Sequence, residues 1–221
     1  MNDYGRLFKR IRGFVRIFSG PYEIERAEEI QGPSILICRH DNLSGPRVVL
    51  TWLPDYVRTW VFHVFMDVET CYNHYVNYTF TQRFGWPKFI AKAAAKVLAP
   101  FVVAVLDSMQ GIPVYRESIR SLRTIKATLK ALYEGGTILI FPDINYISTD
   151  KKDRSVYEGF LYLERYYFNR TGKHIPFVPM FLDRKEKKIK IGQSICFADG
   201  IDFYEQKDSV LERIITGINE L

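Results

Sequence analysis

The sequence predicts an α/β fold, a mixed and mainly parallel sheet flanked by helices, and three observations carry that expectation. Short apolar runs such as Ser34–Cys38 (SILIC) and Thr137–Phe141 (TILIF) read as strands buried on both faces. A strand over Ile112–Tyr115, an amphipathic helix over Ser118–Tyr133 and the strand from Thr137 follow in the order of a right-handed βαβ crossover. Polar residues able to do chemistry stand where these strands end, His40, Arg116 and Asp143, at the edge where open α/β sheets place their ligands.

Size and composition bound the rest. A chain of 221 residues can bury one good-sized core, so the expected organisation is a basic amphipathic helix over residues 1–20 and a single domain over residues 21–221. Apolar residues at 47% and charged residues at 25% are ordinary for a globular protein and argue against disorder. The net charge of +6 is uneven, because residues 1–20 hold Arg6, Lys9, Arg10, Arg12 and Arg16 against Asp3, a net +4. Basic charge on one apolar helix favours an anionic membrane surface over nucleic acid. Cys38, Cys71 and Cys196 are far apart in apolar surroundings, which predicts a reducing compartment and no zinc site. The N-terminus carries no apolar h-region or cleavage site, and the longest near-apolar run, Val97–Leu106, is too short to span a bilayer. The expected location is cytoplasmic, peripheral on the inner face of the membrane.

In chain order, Leu7, Ile11, Phe14 and Phe18 form one helical stripe over residues 4–18. That stripe either docks on the protein's own core or lies on lipid. Gly20-Pro21 ends the helix, and Gly32-Pro33 precedes the strand that reaches His40. Val57–Met66 is rich in β-branched and aromatic residues and reads as a buried strand, with His63 as a core residue. Cys71–Phe84 has helical spacing, and Ala91–Leu106 reads as an apolar helix kinked at Pro100, packed in the core or lying along lipid. Gly135-Gly136 ends the helix before Thr137. Tyr157–Phe168 is a further helix. Ile175–Leu182 holds two prolines, so an edge or irregular strand is expected there. Lys187–Phe197 alternates as a last strand, and Glu205–Leu221 closes the chain as a helix.

The stretch Cys38-Arg39-His40-Asp41-Asn42-Leu43-Ser44-Gly45-Pro46 organises the rest, a strand that stops at a histidine and turns into a helix opened by proline. His40 there is either a chemical group or a packing residue. With Gly111-Ile112-Pro113-Val114-Tyr115-Arg116, Phe141-Pro142-Asp143 and Val178-Pro179, this stretch resembles the glycerol-3-phosphate and lysophosphatidate acyltransferase family. That family carries a His-x4-Asp block, a Gly-x-x-x-x-Arg block, a Phe-Pro-Glu-Gly-Thr block and a later proline-bearing strand, in this order. The resemblance covers residues 30–182. It departs from the family pattern at Gly45, where the acid of the first block would stand, and at Asp143, Ile144 and Asn145 in the third block.

The resemblance implies direct transfer of a fatty acyl group from a thioester, acyl-CoA or acyl carrier protein, to a hydroxyl of a glycerophospholipid precursor. His40 would be the general base, with Asp41 the adjacent acid and Asp143 either positioning the acceptor or supplying the missing carboxylate. Arg116 would grip an acceptor phosphate through its planar fork. Ser44, Gly111, Pro142, Asn145 and Pro179 would complete the substrate site. No metal or other cofactor is implied beyond the acyl co-substrate. The implied partners are a lysophospholipid or glycerol phosphate, the acyl donor and an anionic membrane surface, with no nucleic acid.

The His40-Asp41 pair follows a strand, and His63, His74 and His174 do not complete the helical pattern of a metal-dependent phosphohydrolase. A basic face of Arg120, Arg123, Lys126 and Lys130 comes with no base-reading module. A lipid- or acyl-carrier-binding protein without catalytic activity, on the same fold, stands as the alternative.

Overall fold

A computed structural model describes residues 3–30, 32–40, 44–115, 120–142 and 158–221. Along the chain run α1 (Arg6–Phe18), β1 (Glu23–Arg26), β2 (Ser34–Cys38), α2 (Ser44–Trp52), β3 (Val57–Phe62) and α3 (Val68–His74). Then follow α4 (Lys88–Ser108), β4 (Ile112–Val114), α5 (Ser121–Tyr133) and β5 (Thr137–Ile140). The last elements are α6 (Tyr162–Thr171), β6 (Phe177–Asp183), β7 (Lys188–Ile191) and α7 (Phe203–Glu220). The protein is α/β, with mainly parallel strands and flanking helices, as its sequence predicts. It divides into two compact units that interleave in sequence, Met1–Ile11 with Arg58–Thr124, and Arg12–Val57 with Ile125–Leu221.

The larger unit holds strands in the order β1-β7-β6-β2-β5. β2 pairs in parallel with β5 on one side (Ile37 opposite Ile140) and with β6 on the other (Ile37 opposite Pro179). β7 runs antiparallel to β6 and parallel to β1. All five residues of β2 and all four of β5 are buried, which explains why both read as unbroken apolar runs rather than alternating ones. α7 packs on β6 and buries Val210, Ile214 and Ile218, one face at four-residue spacing.

β6 corrects one expectation. It is an interior strand between β2 and β7, not an edge. Pro179 has no N–H to give, but its carbonyl accepts the Gly192 N–H at 2.9 Å. Its ring lies where side chains at Gly192 and Gly217 would otherwise stand, each 3.0 Å from a Cβ placed there. β1 is an edge strand that hydrophobic patterning did not reveal, since EIER carries only one apolar residue.

The smaller unit contains the parallel pair β3–β4, with Phe62 opposite Val114. β3 stops four residues short of expectation, and His63–Met66 forms a 3₁₀ turn instead. α3 runs on as a π-helical segment, Tyr75–Arg83, which together fill the helix expected over Cys71–Phe84. α4 lies against these helices through Ala91, Ala95, Ala99 and Val103, all buried beside Cys71, Val76 and Phe80. It is longer than the apolar run in its sequence. At 21 residues, with mean hydropathy 2.0 in its most apolar window, it has the length and composition to cross a membrane.

α1 contributes to both units. In the smaller, Gly5 N–H donates to the Ser108 carbonyl (2.7 Å), Phe8 N–H donates to Ser108 Oγ (2.9 Å), and Tyr4 and Phe8 are buried. In the larger, Arg12 Nε and Arg16 Nε each donate to the Thr51 carbonyl at 2.9 Å, and Arg12 Nη2 donates to that of Leu53. These carbonyls lie at the end of α2, where the C=O groups of the last turn have no N–H donor within the helix. Two of the five basic residues in the tail are therefore used internally, and Lys9 pairs with Asp3. The stripe itself is not the docked face: Phe14 and Phe18 are exposed, while Leu7 and Ile11 are half-buried.

Candidate functional site

β2 delivers His40 to the carboxyl edge of the larger unit's parallel strands. Ile37 and Ile140 are in register, so both chains leave the sheet at the same edge, one toward His40 and the other toward Phe141. There the His40 ring meets the edge of Phe141, with centroids 5.5 Å apart and planes at 71°. Two of the sequence blocks thus converge in space. His40 is half-buried, its Nδ1 is shielded from solvent, and Pro142 is buried beside Phe141. Arg39 Nη2 donates to Asn219 Oδ1 at 2.7 Å, tying the turn after β2 to α7.

Gly45 is what the first block becomes. It is buried in the first turn of α2, which Ser44 opens, and a Cβ built on it would overlap the His40 carbonyl oxygen. No side chain fits this position without moving the backbone, so the helix cannot present an acid here. Asp41, Arg116, Asp143 and Asn145 lie outside the described residues.

Gly111 belongs to the smaller unit and is buried just before β4. A Cβ there would meet Val61 Cγ2 at 3.0 Å and the Leu106 carbonyl at 3.4 Å, so close packing of α4 on β3 accounts for the glycine. Pro179 is buried and its packing against two glycines accounts for it in the same way.

His63, expected as a core residue, stands at the carboxyl end of β3 with its ring stacked on Tyr115 (4.7 Å, 29°). Its Nδ1 lies 3.1 Å from the Val114 carbonyl oxygen. A carbonyl only accepts, so Nδ1 carries the proton and donates, and the neutral ring keeps its lone pair on Nε2. The sequence places His63 inside the strand, so both its strand-end position and its tautomer became visible only with the early end of β3 and the β4 carbonyl.

Elsewhere the titratable groups read as structural. Glu164 is buried, accepts the Ile175 N–H at 2.8 Å, and lies 2.5 Å from His174 Nδ1. Burial pushes its carboxyl up, against the pull of the Ile175 N–H and His174. This cluster sits at the amino end of β6, opposite the His40 edge. A 320 Å³ cavity lined by Ser34, Pro176, Val178 and Ser194 is also at that far end. Burial raises the Cys71 thiol to about 11 and also raises Cys196, so neither is a ready thiolate. Among the described residues no cluster of three His, Cys, Asp or Glu is placed to hold a metal ion.

No protein-family model, curated protein or solved structure matches the chain.

Proposed function

We propose that the protein is an acyltransferase, moving a fatty acyl group from a thioester donor, acyl-CoA or acyl carrier protein, to a hydroxyl of a glycerophospholipid precursor. The observation that carries this is the meeting of His40 with Phe141, which brings two sequence blocks together at the carboxyl edge of parallel strands. With Nδ1 shielded, Nε2 is the nitrogen that takes the proton from the acceptor hydroxyl. The freed oxygen attacks the thioester carbonyl, the new C–O bond forms, the C–S bond breaks, and the proton passes to the departing thiolate. Arg116 holds the acceptor phosphate, and Asp143 follows directly on the Phe141-Pro142 pair that abuts the histidine. The acceptor reaches the site from an anionic membrane on the cytoplasmic side, against which the exposed Phe14, Ile17 and Phe18 of α1 rest, with Arg6 and Arg10 beside them.

The test is incubation of purified protein with labelled acyl donors and a panel of lysophospholipids and glycerol phosphate. Wild type is expected to yield acylated lipid with stoichiometric thiol release, and His40→Ala to lose roughly 10²–10⁴ of the rate, the worth of a general base. Thiol release without a lipid product would mean hydrolysis. Gly45 favours one second reading, an acyl- or lipid-binding protein without turnover. Saturable binding of the same ligands, with wild type and His40→Ala equally inert, would select it.

A further inference from the structure

We propose that the outward face of α4 is a docking surface for an anionic lipid bilayer, on which the helix lies in plane. The inference concerns the smaller unit alone and holds whether or not the protein transfers acyl groups.

The helix has two apolar faces, and only one is used. Ala91, Ala95, Ala99 and Val103 pack inward, where small side chains let α4 approach α3 and its π-helical continuation closely. On the other side Phe89 is 74% exposed, Val97 75%, Phe101 51% and Ile90 43%. A contiguous exposed stripe of this kind on a folded unit marks an interaction site. Phe84 and Trp86, in the segment leading into α4, are exposed as well. The amphipathic indole of tryptophan settles at the level of lipid headgroups, and phenylalanine belongs to the apolar side of such a surface.

Charge identifies the occupant. Lys88, Lys92 and Lys96 recur at four-residue spacing and form a row beside the apolar stripe. From Thr70 to Leu106 there is no Asp or Glu, while Arg83 and the three lysines give the segment a net +4. Asp67 and Glu69 line a groove with Lys96 and Pro100 and offset part of this charge at that end, while Lys88 and Lys92 edge the apolar stripe beyond them. Apolar groups edged by lysine in this way complement a surface of hydrocarbon beneath negative headgroups. A protein partner fits less well, since lysine is depleted at the centre of protein interfaces. A second copy meeting this face antiparallel about a two-fold axis would set the two lysine rows against each other.

The in-plane arrangement follows from the packed alanine row. A spanning α4 would have to carry Lys92 and Lys96 into hydrocarbon, where charged side chains are costly. Lying flat, the helix keeps its inner face in the protein and its lysine stems along the interface.

The experiment is co-sedimentation of the full chain with phosphatidylcholine vesicles, with and without phosphatidylglycerol. Lys92→Glu/Lys96→Glu and Val97→Glu/Phe101→Glu change exposed side chains, and circular dichroism checks their folding. Each pair is expected to lower partitioning into anionic vesicles about tenfold or more. Added salt is expected to release wild type, and Arg6→Glu/Arg10→Glu on α1 to leave a residual binding that the α4 pairs abolish. His40→Ala should bind as wild type does, which separates this surface from the catalytic reading. Wild-type partitioning by either α4 pair would overturn the proposal. So would resistance to both salt and alkaline extraction, the behaviour of a spanning helix, or a concentration-dependent dimer that Val97→Glu/Phe101→Glu dissolves without vesicle binding.

Discussion

A Cβ on Gly45 would overlap the carbonyl oxygen of His40 and stand 2.9 Å from that of Arg39. The carbonyls of Arg39 and His40 therefore take up the space a side chain at Gly45 would need, at the very position where the resembling family carries its acid. A carboxylate that orients the histidine would have to come from another part of the chain. Gly45→Ala is expected to cost about 1–3 kcal/mol, the range for forcing atoms into a packed site. Gly45→Asp should cost at least as much and should not raise acyl-transfer turnover. Thermal melts beside initial rates decide it, and a Gly45→Asp variant that is both stable and faster would show that the turn opens to admit the acid.

His63 and His40 both follow strands, yet their bonding differs. His63 donates to Val114 and stacks on Tyr115, so its contribution is expected to be to the packing of the smaller unit. His63→Ala should lower stability by roughly 1–3 kcal/mol, from one hydrogen bond and one aromatic contact. Acyl transfer should stay within about tenfold of wild type, against the far larger loss in His40→Ala. If His63→Ala retained its melting temperature and lost turnover instead, Nε2 of His63 would be the reacting base.

How much of this was legible in the sequence follows from which forces pattern it. Burial on both faces leaves an unbroken apolar run, so β2 and β5 could be read, and with them the strand-end position of His40. β1 could not, because a short edge strand with one half-buried face leaves only Ile24 as a signal. In sequence β6 reads as an edge, because a proline normally has no place between two partners. Here glycines at 192 and 217 make room for the ring, and such a compensation is visible only in space. The site divides in the same way. Residue types and order point to His40 and Phe141, but the crowding of Gly45 and the proton on His63 Nδ1 depend on backbone carbonyls that no motif encodes.

The docking of α1 shows the same limit and yields a third prediction. Periodicity singled out its apolar stripe, whereas the larger unit holds the helix through Arg12 and Arg16 on the carbonyls that end α2, with Arg16 also 5.3 Å over the Trp52 ring. Arg12→Ala/Arg16→Ala is expected to cost about 2–4 kcal/mol, since hydrogen bonds from charged donors are the stronger kind. For a chain of this size that lowers the melting temperature by on the order of 5–10 °C. Arg12→Lys should recover less than half, because an ammonium cannot bridge two carbonyls as the fork does. Melts unchanged in the double variant would place the hold on α1 elsewhere.

The last prediction concerns Glu164, whose carboxylate is 2% exposed and bonded to His174 and the Ile175 N–H. Burial is the largest influence on it and raises its pKa above the ordinary 4.5. The folded protein then binds a proton that the unfolded chain has already released. The sign follows by linkage: this contribution to stability is complete below about pH 4.5 and is lost as pH rises through the folded value. Glu164→Gln keeps an acceptor for its neighbours and has no charge to desolvate. Against wild type, its relative stability should therefore improve as pH rises through that window, measured by thermal melts between about pH 4 and pH 8. A relative stability that instead worsens with rising pH would mean that the bonds from His174 and Ile175 outweigh burial, and that Glu164 is held as a carboxylate in the folded chain.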